Sequence, residues 1–258
     1  GGGKELGGEA MVLEKEIQRK SREYGIRVIG PNCIGCFNAY NHFDAFFQTH
    51  ERMVRAPEGK IAFITQSGTY GCSFMEAFEH IGLNKTISYG NRVEVDEADM
   101  IAYLAKDDNT RVLAAYIEGL GDGRKFLQTA QTIIDRHAKP IVVYKSGRTQ
   151  RAAQAAQSHT GAFGGSYGIC RGAFKQAGIL AVDSFEELVA ATKALAMQPP
   201  ARGPSMGMIS NGAGPMVNAM DMFDRYGLEM GAVSPGNIKK MEDHYPAFYI
   251  CNNPVDVT

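Results

Sequence analysis

Six histidines occur in the chain, and five of them lie among charged or aromatic neighbours. His159 stands instead among small residues, in Gln157-Ser158-His159-Thr160-Gly161-Ala162. A neutral imidazole is a competent nucleophile towards phosphorus. Its ordinary pKa of about 6.5 leaves it mostly neutral at pH 7. On position alone, the same residue reads more readily as a surface histidine in a flexible loop. Glu118 strengthens the chemical reading, because it ends the apolar run RVLAAYIE just before Gly119. A carboxylate at that strand edge can accept a hydrogen bond from one imidazole nitrogen and make the other more nucleophilic. Without the histidine it would be a solvated strand-end charge. Lys145 and Arg148 could attract phosphate, but they read as solvent-exposed cations.

Two further segments suit an anion. Gln66-Ser67-Gly68-Thr69 and Asn211-Gly212-Ala213-Gly214 each follow a short apolar run and precede a helical pattern. Small residues let backbone N–H groups approach a ligand closely. A helix N-terminus leaves N–H groups unpaired and carries about half a positive charge. Such a turn binds phosphate readily, although small residues also serve tight packing. The two turns belong to a repeat. Residues 60–84 (KIAFITQSGTYGCSFMEAFEHIGLN) align without a gap on 205–229 (SMGMISNGAGPMVNAMDMFDRYGLE), with Ile64 on Ile209, Phe78 on Phe223 and Gly82-Leu83 on Gly227-Leu228. The usual nucleotide motifs are absent: there is no Walker A loop and no GxGxxG after a strand.

The elements that must carry these residues follow from periodicity. A helical pattern over residues 9–24 ends at Gly25 and leads to a short apolar strand, Ile26 to Ile29, closed by Gly30-Pro31-Asn32. One such unit cannot bury its own apolar face. The polar stretch 50–59 reads as a linker. Strands are then expected at 61–65, 86–89, 112–117, 141–144 and 179–182, alternating with helices near 69–81, 97–105, 124–136, 167–177 and 186–196. Ser184 and Glu187 stand at capping-box spacing for the last helix. Continuous apolar strands alternating with helices imply an α/β fold, a doubly wound parallel sheet covered on both faces. A Pro-rich boundary at 199–204 precedes the second copy of the turn, and Asn253-Pro254-Val255-Asp256 reads as a turn ending its second strand.

Composition excludes several classes. With 258 residues, 27 basic against 28 acidic and a net charge of −1, the chain shows no footprint for nucleic acid or an anionic membrane. No apolar run reaches a membrane span. The scattered odd set Cys33, Cys36, Cys72, Cys170 and Cys251 argues against a disulfide framework and fits a reducing cytoplasm. The lone Cys33-x-x-Cys36 lacks the partners of a zinc site, and no metal site is expected. The opening GGGKELGGEA, without an initiator Met, reads as the interior of a longer product.

Gly30-Pro31-Asn32-Cys33-Ile34-Gly35, Gln66-Ser67-Gly68, Ser158-His159-Thr160-Gly161-Ala162, Asn211-Gly212-Ala213-Gly214-Pro215 and Asn253-Pro254-Val255-Asp256 together resemble the NDP-forming (ADP-forming) acyl-CoA synthetases, related to succinyl-CoA synthetase. The resemblance covers essentially the whole chain. It implies that residues 1–50 are the C-terminal part of a CoA-binding Rossmann-like domain. Residues 59–198 would be a first flavodoxin-like ligase domain, and 203–258 the truncated start of a second. An ATP-grasp domain or subunit elsewhere would use ATP, ADP and Mg²⁺. The implied activity joins a carboxylic acid to coenzyme A through an acyl phosphate and a phosphohistidine. His159 would carry the phosphoryl group and Glu118 orient it. Ser67, Gly68 and Thr69, with Asn211, Gly212, Ala213 and Gly214, would bind phosphate, and Asn32 and Cys33 would lie near CoA. A homo- or hetero-oligomer is implied, and the fragment alone is not expected to turn over. The alternative is a regulatory module of a protein lysine acetyltransferase-type relative, in which His159 is idle.

Overall fold

The computed structural model describes residues 8–152 and 167–257. The chain divides at Gln198/Pro199 into two compact units.

The first unit is built on a seven-stranded sheet. Its strands are β1 (Cys36–Asn38), β2 (Phe43–Asp44), β3 (Glu58–Thr65), β4 (Leu83–Ser88), β5 (Val112–Ile117), β6 (Ile141–Lys145) and β7 (Leu180–Val182), in the order β2-β1-β4-β3-β5-β6-β7. The five from β3 to β7 are parallel, and their order is that of a flavodoxin-like sheet. Between them run α2 (Gly68–Ala77), α3 (Glu97–Ala105), α4 (Gly123–His137) and α5 (Tyr167–Gln176), with α6 (Phe185–Met197) after β7. α1 (Gly8–Tyr24) precedes β1.

Strand alternation divides the core. Ala62 and Ile64 of β3 pack with Ile101, Leu104, Phe126 and Phe174, whereas Ile61 and Phe63 pack with Phe74, Phe78 and Leu188. Successive strand side chains point to opposite faces, so each strand must be apolar throughout. The sheet is thus covered on both sides, by α3, α4 and α5 on one face and α2 and α6 on the other. The Phe63 and Phe74 rings stack with centroids 3.8 Å apart.

Two expectations are corrected. Residues 26–29 form no strand. The backbone of Val28 is satisfied by the 93–95 loop: Val28 N–H donates to the Glu94 carboxylate at 2.8 Å, and Val95 N–H donates to Val28 O at 3.2 Å. The stretch 50–59 is no loose linker, because Met53 and Ala56 are 1% and 2% exposed and Glu58 already belongs to β3. Arg55 ties this stretch down by donating to Asp44, to the Met53 carbonyl and to the Gln48 carbonyl. β1 and β2 had no signal in the sequence pattern. They add antiparallel to the β4 edge, with Cys36 opposite Ile87.

In the second unit, β8 (Ser205–Met206) and β9 (Ile209–Ser210) lead into α7 (Ala213–Tyr226), followed by β10 (Glu229–Met230), α8 (Pro235–Glu242) and β11 (Val255–Asp256). β10 pairs in parallel with β8, and β11 with β9. Val255 and Asp256 are therefore strand residues of a third segment, not a turn ending the second. Asn253 fixes their start: its side chain accepts from Met208 N–H and donates to the Met206 and Gly231 carbonyls.

The repeat is visible in detail. α2 begins at Gly68 and α7 at Ala213, the positions the ungapped alignment superposes. Thr65 and Ser210, also superposed, each donate a hydroxyl hydrogen bond to the carbonyl two residues on, at 2.8 Å and 3.0 Å. Gly82 and Gly227 both take left-handed backbone (φ 96° and 65°) after the helix.

Candidate functional site

In a doubly wound sheet, ligands bind beyond the carboxyl ends of the strands where the winding reverses direction. Here β4 lies on one side of β3 and β5 on the other, so the reversal falls between the ends of β3 and β5. A cleft of about 560 Å³ opens there, and its lining includes Asn32, Cys33, Ser67, Gly68, Thr69 and Glu118. These six sequence-predicted residues come from three separate segments.

The cleft floor is the N-terminus of α2. Ser67 is its N-cap and its hydroxyl accepts from Tyr70 N–H at 3.4 Å. Thr65 holds the turn from within, donating to Ser67 O and accepting from Ser67 N–H at 3.1 Å. Gly68 has a steric reason to be glycine: a Cβ there would lie 2.5 Å from Ile34 Cγ2. Ile34 thus packs the Asn32–Cys33 turn directly onto the helix end. Asn32 adopts left-handed backbone (φ 57°), and its amide donates to Asn91 Oδ1 at 3.2 Å. Behind it, Gly90 approaches so closely that a Cβ would stand 2.1 Å from Asn32 O.

Glu118 is half-buried at the end of β5. Its N–H donates to Gln66 Oε1 at 2.5 Å, and its carbonyl accepts from Lys145 Nζ at 2.6 Å. Gln66 was missed as a side chain of consequence. Its position in the repeated turn was the available signal, but its partners lie more than fifty residues away. Lys145 corrects the sequence reading: it is 3% exposed rather than solvated, and burial holds its pKa below the usual lysine value. Arg148 is half-exposed and tied to Asp183, donating to its carbonyl at 2.8 Å.

Cys33 is half-buried on the cleft wall, and Cys36 sits within β1. Burial, with Cys33 nearby, pushes the Cys36 thiol up to about 11, so it is no thiolate near neutral pH. All five cysteines are free. Among the described residues no three His, Cys, Asp or Glu side chains gather as a metal site requires. No described helix is long and apolar enough to cross a membrane.

Asn211, Ala213 and Gly214 are exposed in the second unit, at the start of α7. Gly212 is the N-cap and supplies no side-chain cap to the first turn. His159 lies outside the described residues.

The family described as "Succinyl-CoA ligase like flavodoxin domain" matches residues 58–195, more than half of the chain. The chain belongs to this family. The matched span coincides with β3 to α6, the part of the succinyl-CoA ligase like flavodoxin domain that carries the cleft floor and Glu118. Among curated relatives, the chain is 38% identical over 258 residues to Acetate–CoA ligase [ADP-forming] I of Archaeoglobus fulgidus, covering 99% of this chain and 36% of that protein. It is 35% identical over 255 residues to the Acetate–CoA ligase [ADP-forming] II subunit alpha of Pyrococcus furiosus, covering 98% and 54%. Among solved structures, dinucleotide forming Acetyl-coenzyme A synthetase 1 of Ca. Korarchaeum cryptofilum, in complex with phosphate and ADP, superposes with a TM-score of 0.87 at 37% identity, covering all of this chain and 55% of that one. The chain therefore spans from about a third to about half of these relatives' length.

Proposed function

We propose that this chain is the phosphoryl-carrying part of an ADP-forming acyl-CoA synthetase. One observation carries the reading: a single cleft at the winding reversal gathers the N-terminus of α2, Glu118 and the Asn32–Cys33 turn. A phosphoryl group has about two negative charges near neutral pH. The positive end of α2 and its first-turn N–H groups complement that charge. Phosphate and ADP are what the Korarchaeum relative is described as binding, which agrees with a site of this kind.

In this reading phosphate attacks the thioester carbonyl of an acyl-CoA, the C–S bond breaks, and CoA leaves with a proton. The acyl phosphate then gives its phosphoryl group to an imidazole nitrogen of His159, and the carboxylic acid is released as carboxylate. Phosphohistidine passes the group to ADP. The order is reversible. Glu118 orients the imidazole, and Asn32 and Cys33 contact the CoA end. Asn211, Gly212, Ala213 and Gly214 form a second phosphate-binding turn. The carboxylic acid and the nucleotide complete the substrate set, and a nucleotide-binding ATP-grasp domain or subunit completes the enzyme, either on a longer chain or in a hetero-oligomer such as the relative named as a subunit alpha. Mg²⁺ belongs with the nucleotide there.

The test is phosphorylation. The complete synthetase containing this chain, incubated with Mg-ATP, should acquire acid-labile, base-stable phosphate that acid plus CoA discharges. His159→Ala should acquire none. Label retained in His159→Ala, or no label in a folded protein that binds ATP, would remove the carrier role.

A further inference from the structure

Three buried side chains converge on two consecutive residues of the backbone. Gln66 Oε1 accepts from the N–H of Glu118 at 2.5 Å and from the N–H of Gly119 at 2.9 Å. Lys145 Nζ donates to the carbonyl of Glu118 at 2.6 Å, and Arg92 Nη1 to the carbonyl of Gly119 at 2.6 Å. All four polar backbone groups of Glu118 and Gly119 are thus held by side chains, and those side chains come from three different places: the end of β3, the turn after β4, and β6. Gln66 is 7% exposed, Lys145 3%, and the Arg92 side chain 9%.

An irregular buried backbone must find partners, but neutral groups or water suffice for that. Two of the three partners here are cations, and burying a cation is costly. Arg92 is offset by Glu97, whose carboxylate lies 2.9 Å away and is itself 2% exposed. Lys145 spends its remaining reach on another carbonyl, that of Ser146 at 2.6 Å. So expensive an arrangement around one peptide, at the cleft wall, gives that peptide a fixed plane. The plane sets the direction in which the Glu118 side chain leaves the backbone. A carboxylate that orients an imidazole acts only while its own direction is held.

We infer that Lys145, Arg92 and Gln66 are positioning residues, which fix the Glu118–Gly119 backbone from three sides and thereby aim the Glu118 carboxylate into the cleft. The inference rests on the proposed role of Glu118 as the group that orients the phosphoryl carrier. Lys145 and Arg92 act at a distance, through the backbone, without lining the cleft themselves.

The experiment is a double-variant cycle in the complete synthetase, reading the rate of protein phosphorylation from Mg-ATP. Lys145→Met and Glu118→Gln are each expected to slow it, Lys145→Met by roughly 10- to 100-fold, the range found when a supporting partner of a site residue is lost. The double variant is expected to be no slower than Glu118→Gln alone. Losses that multiply would overturn the inference, because Lys145 would then act independently of Glu118. A wild-type rate in Lys145→Met would overturn it equally. If Lys145→Met does not fold, Gln66→Leu enters the same cycle with the same criterion. A wild-type rate in Glu118→Gln, with label still lost in His159→Ala, would sink the orienting role of Glu118 while leaving the carrier in place. No label in the wild type would sink the underlying function instead.

Discussion

Gly68→Ala tests the packing that joins the Asn32–Cys33 turn to the end of α2. The new Cβ would stand 2.5 Å from Ile34 Cγ2. Ordinary carbon contacts begin near about 3.5 Å, so one of the two must retreat by about 1 Å. Cγ2 sits on the branched Cβ and cannot swing away as a chain end would. Ile34 is 8% exposed and packs in the core with Phe74. Overpacking of this kind costs roughly 1–3 kcal/mol. Ile34→Ala alone should cost roughly 2–5 kcal/mol through the cavity it leaves. In the double variant Cγ2 is gone and the new methyl falls into the vacated space. The two losses should then sum to about 1–3 kcal/mol more than the double variant shows. Gly71 supports the same geometry, since a Cβ there would meet Ile34 Cδ1 at 2.9 Å. The assay is urea unfolding of the four proteins followed by far-UV circular dichroism. Additivity within about 0.5 kcal/mol would refute the claim that the glycine exists to admit Ile34.

The repeated hydroxyl gives a comparative prediction. Thr65 is fully buried and makes two hydrogen bonds with Ser67, whereas Ser210 is half-buried and donates one to Gly212 O. Thr65→Val should cost roughly 1–3 kcal/mol and Ser210→Ala about 1 kcal/mol or less in the same unfolding assay; the reverse order would contradict the burial argument. Asp107 gives a pH dependence. Burial raises its pKa, but hydrogen bonds from Lys85 and Asn84 outweigh this and bring it from 3.8 to about 2. A folded pKa below the unfolded one contributes stability above the unfolded value and loses it as pH falls through the folded value. Asp107→Asn should therefore be less stable at pH 7 by up to about 2 kcal/mol, and its stability should fall less steeply than wild type between roughly pH 4 and pH 2. Parallel acid limbs for the two proteins would show that the ion pair with Lys85 carries no such linkage.

How much of this was legible depends on the range of the interaction. The five parallel strands and their helices were set by local pattern, because a strand covered on both faces must be apolar at every position. Capping was local too: Ser184 accepts from Glu187 N–H at 3.1 Å, three residues on. The repeat determined where both helices begin, since the same turn chemistry at Thr65 and Ser210 acts over two residues. Residue types alone marked Ser67, Gly68 and Glu118 as chemically apt.

What the sequence could not decide were contacts between distant segments. Whether 26–29 formed a strand depended on a neighbour to pair with, and instead Val28 bonds the 93–95 loop while Ile26 bonds back to Ser21. β1 and β2 are too short to carry a periodic signal, and they exist because the edge of β4 was open to them. Lys145 looked like a surface cation, because nothing beside it in sequence shows that the carbonyl of Glu118 waits 2.6 Å from its ammonium. Local order follows from side-chain period and short-range hydrogen bonds, which the sequence states directly. The gathering of Asn32, Ser67 and Glu118 around one cleft follows only from the order in which the strands pair, and that order is decided by packing among residues far apart along the chain.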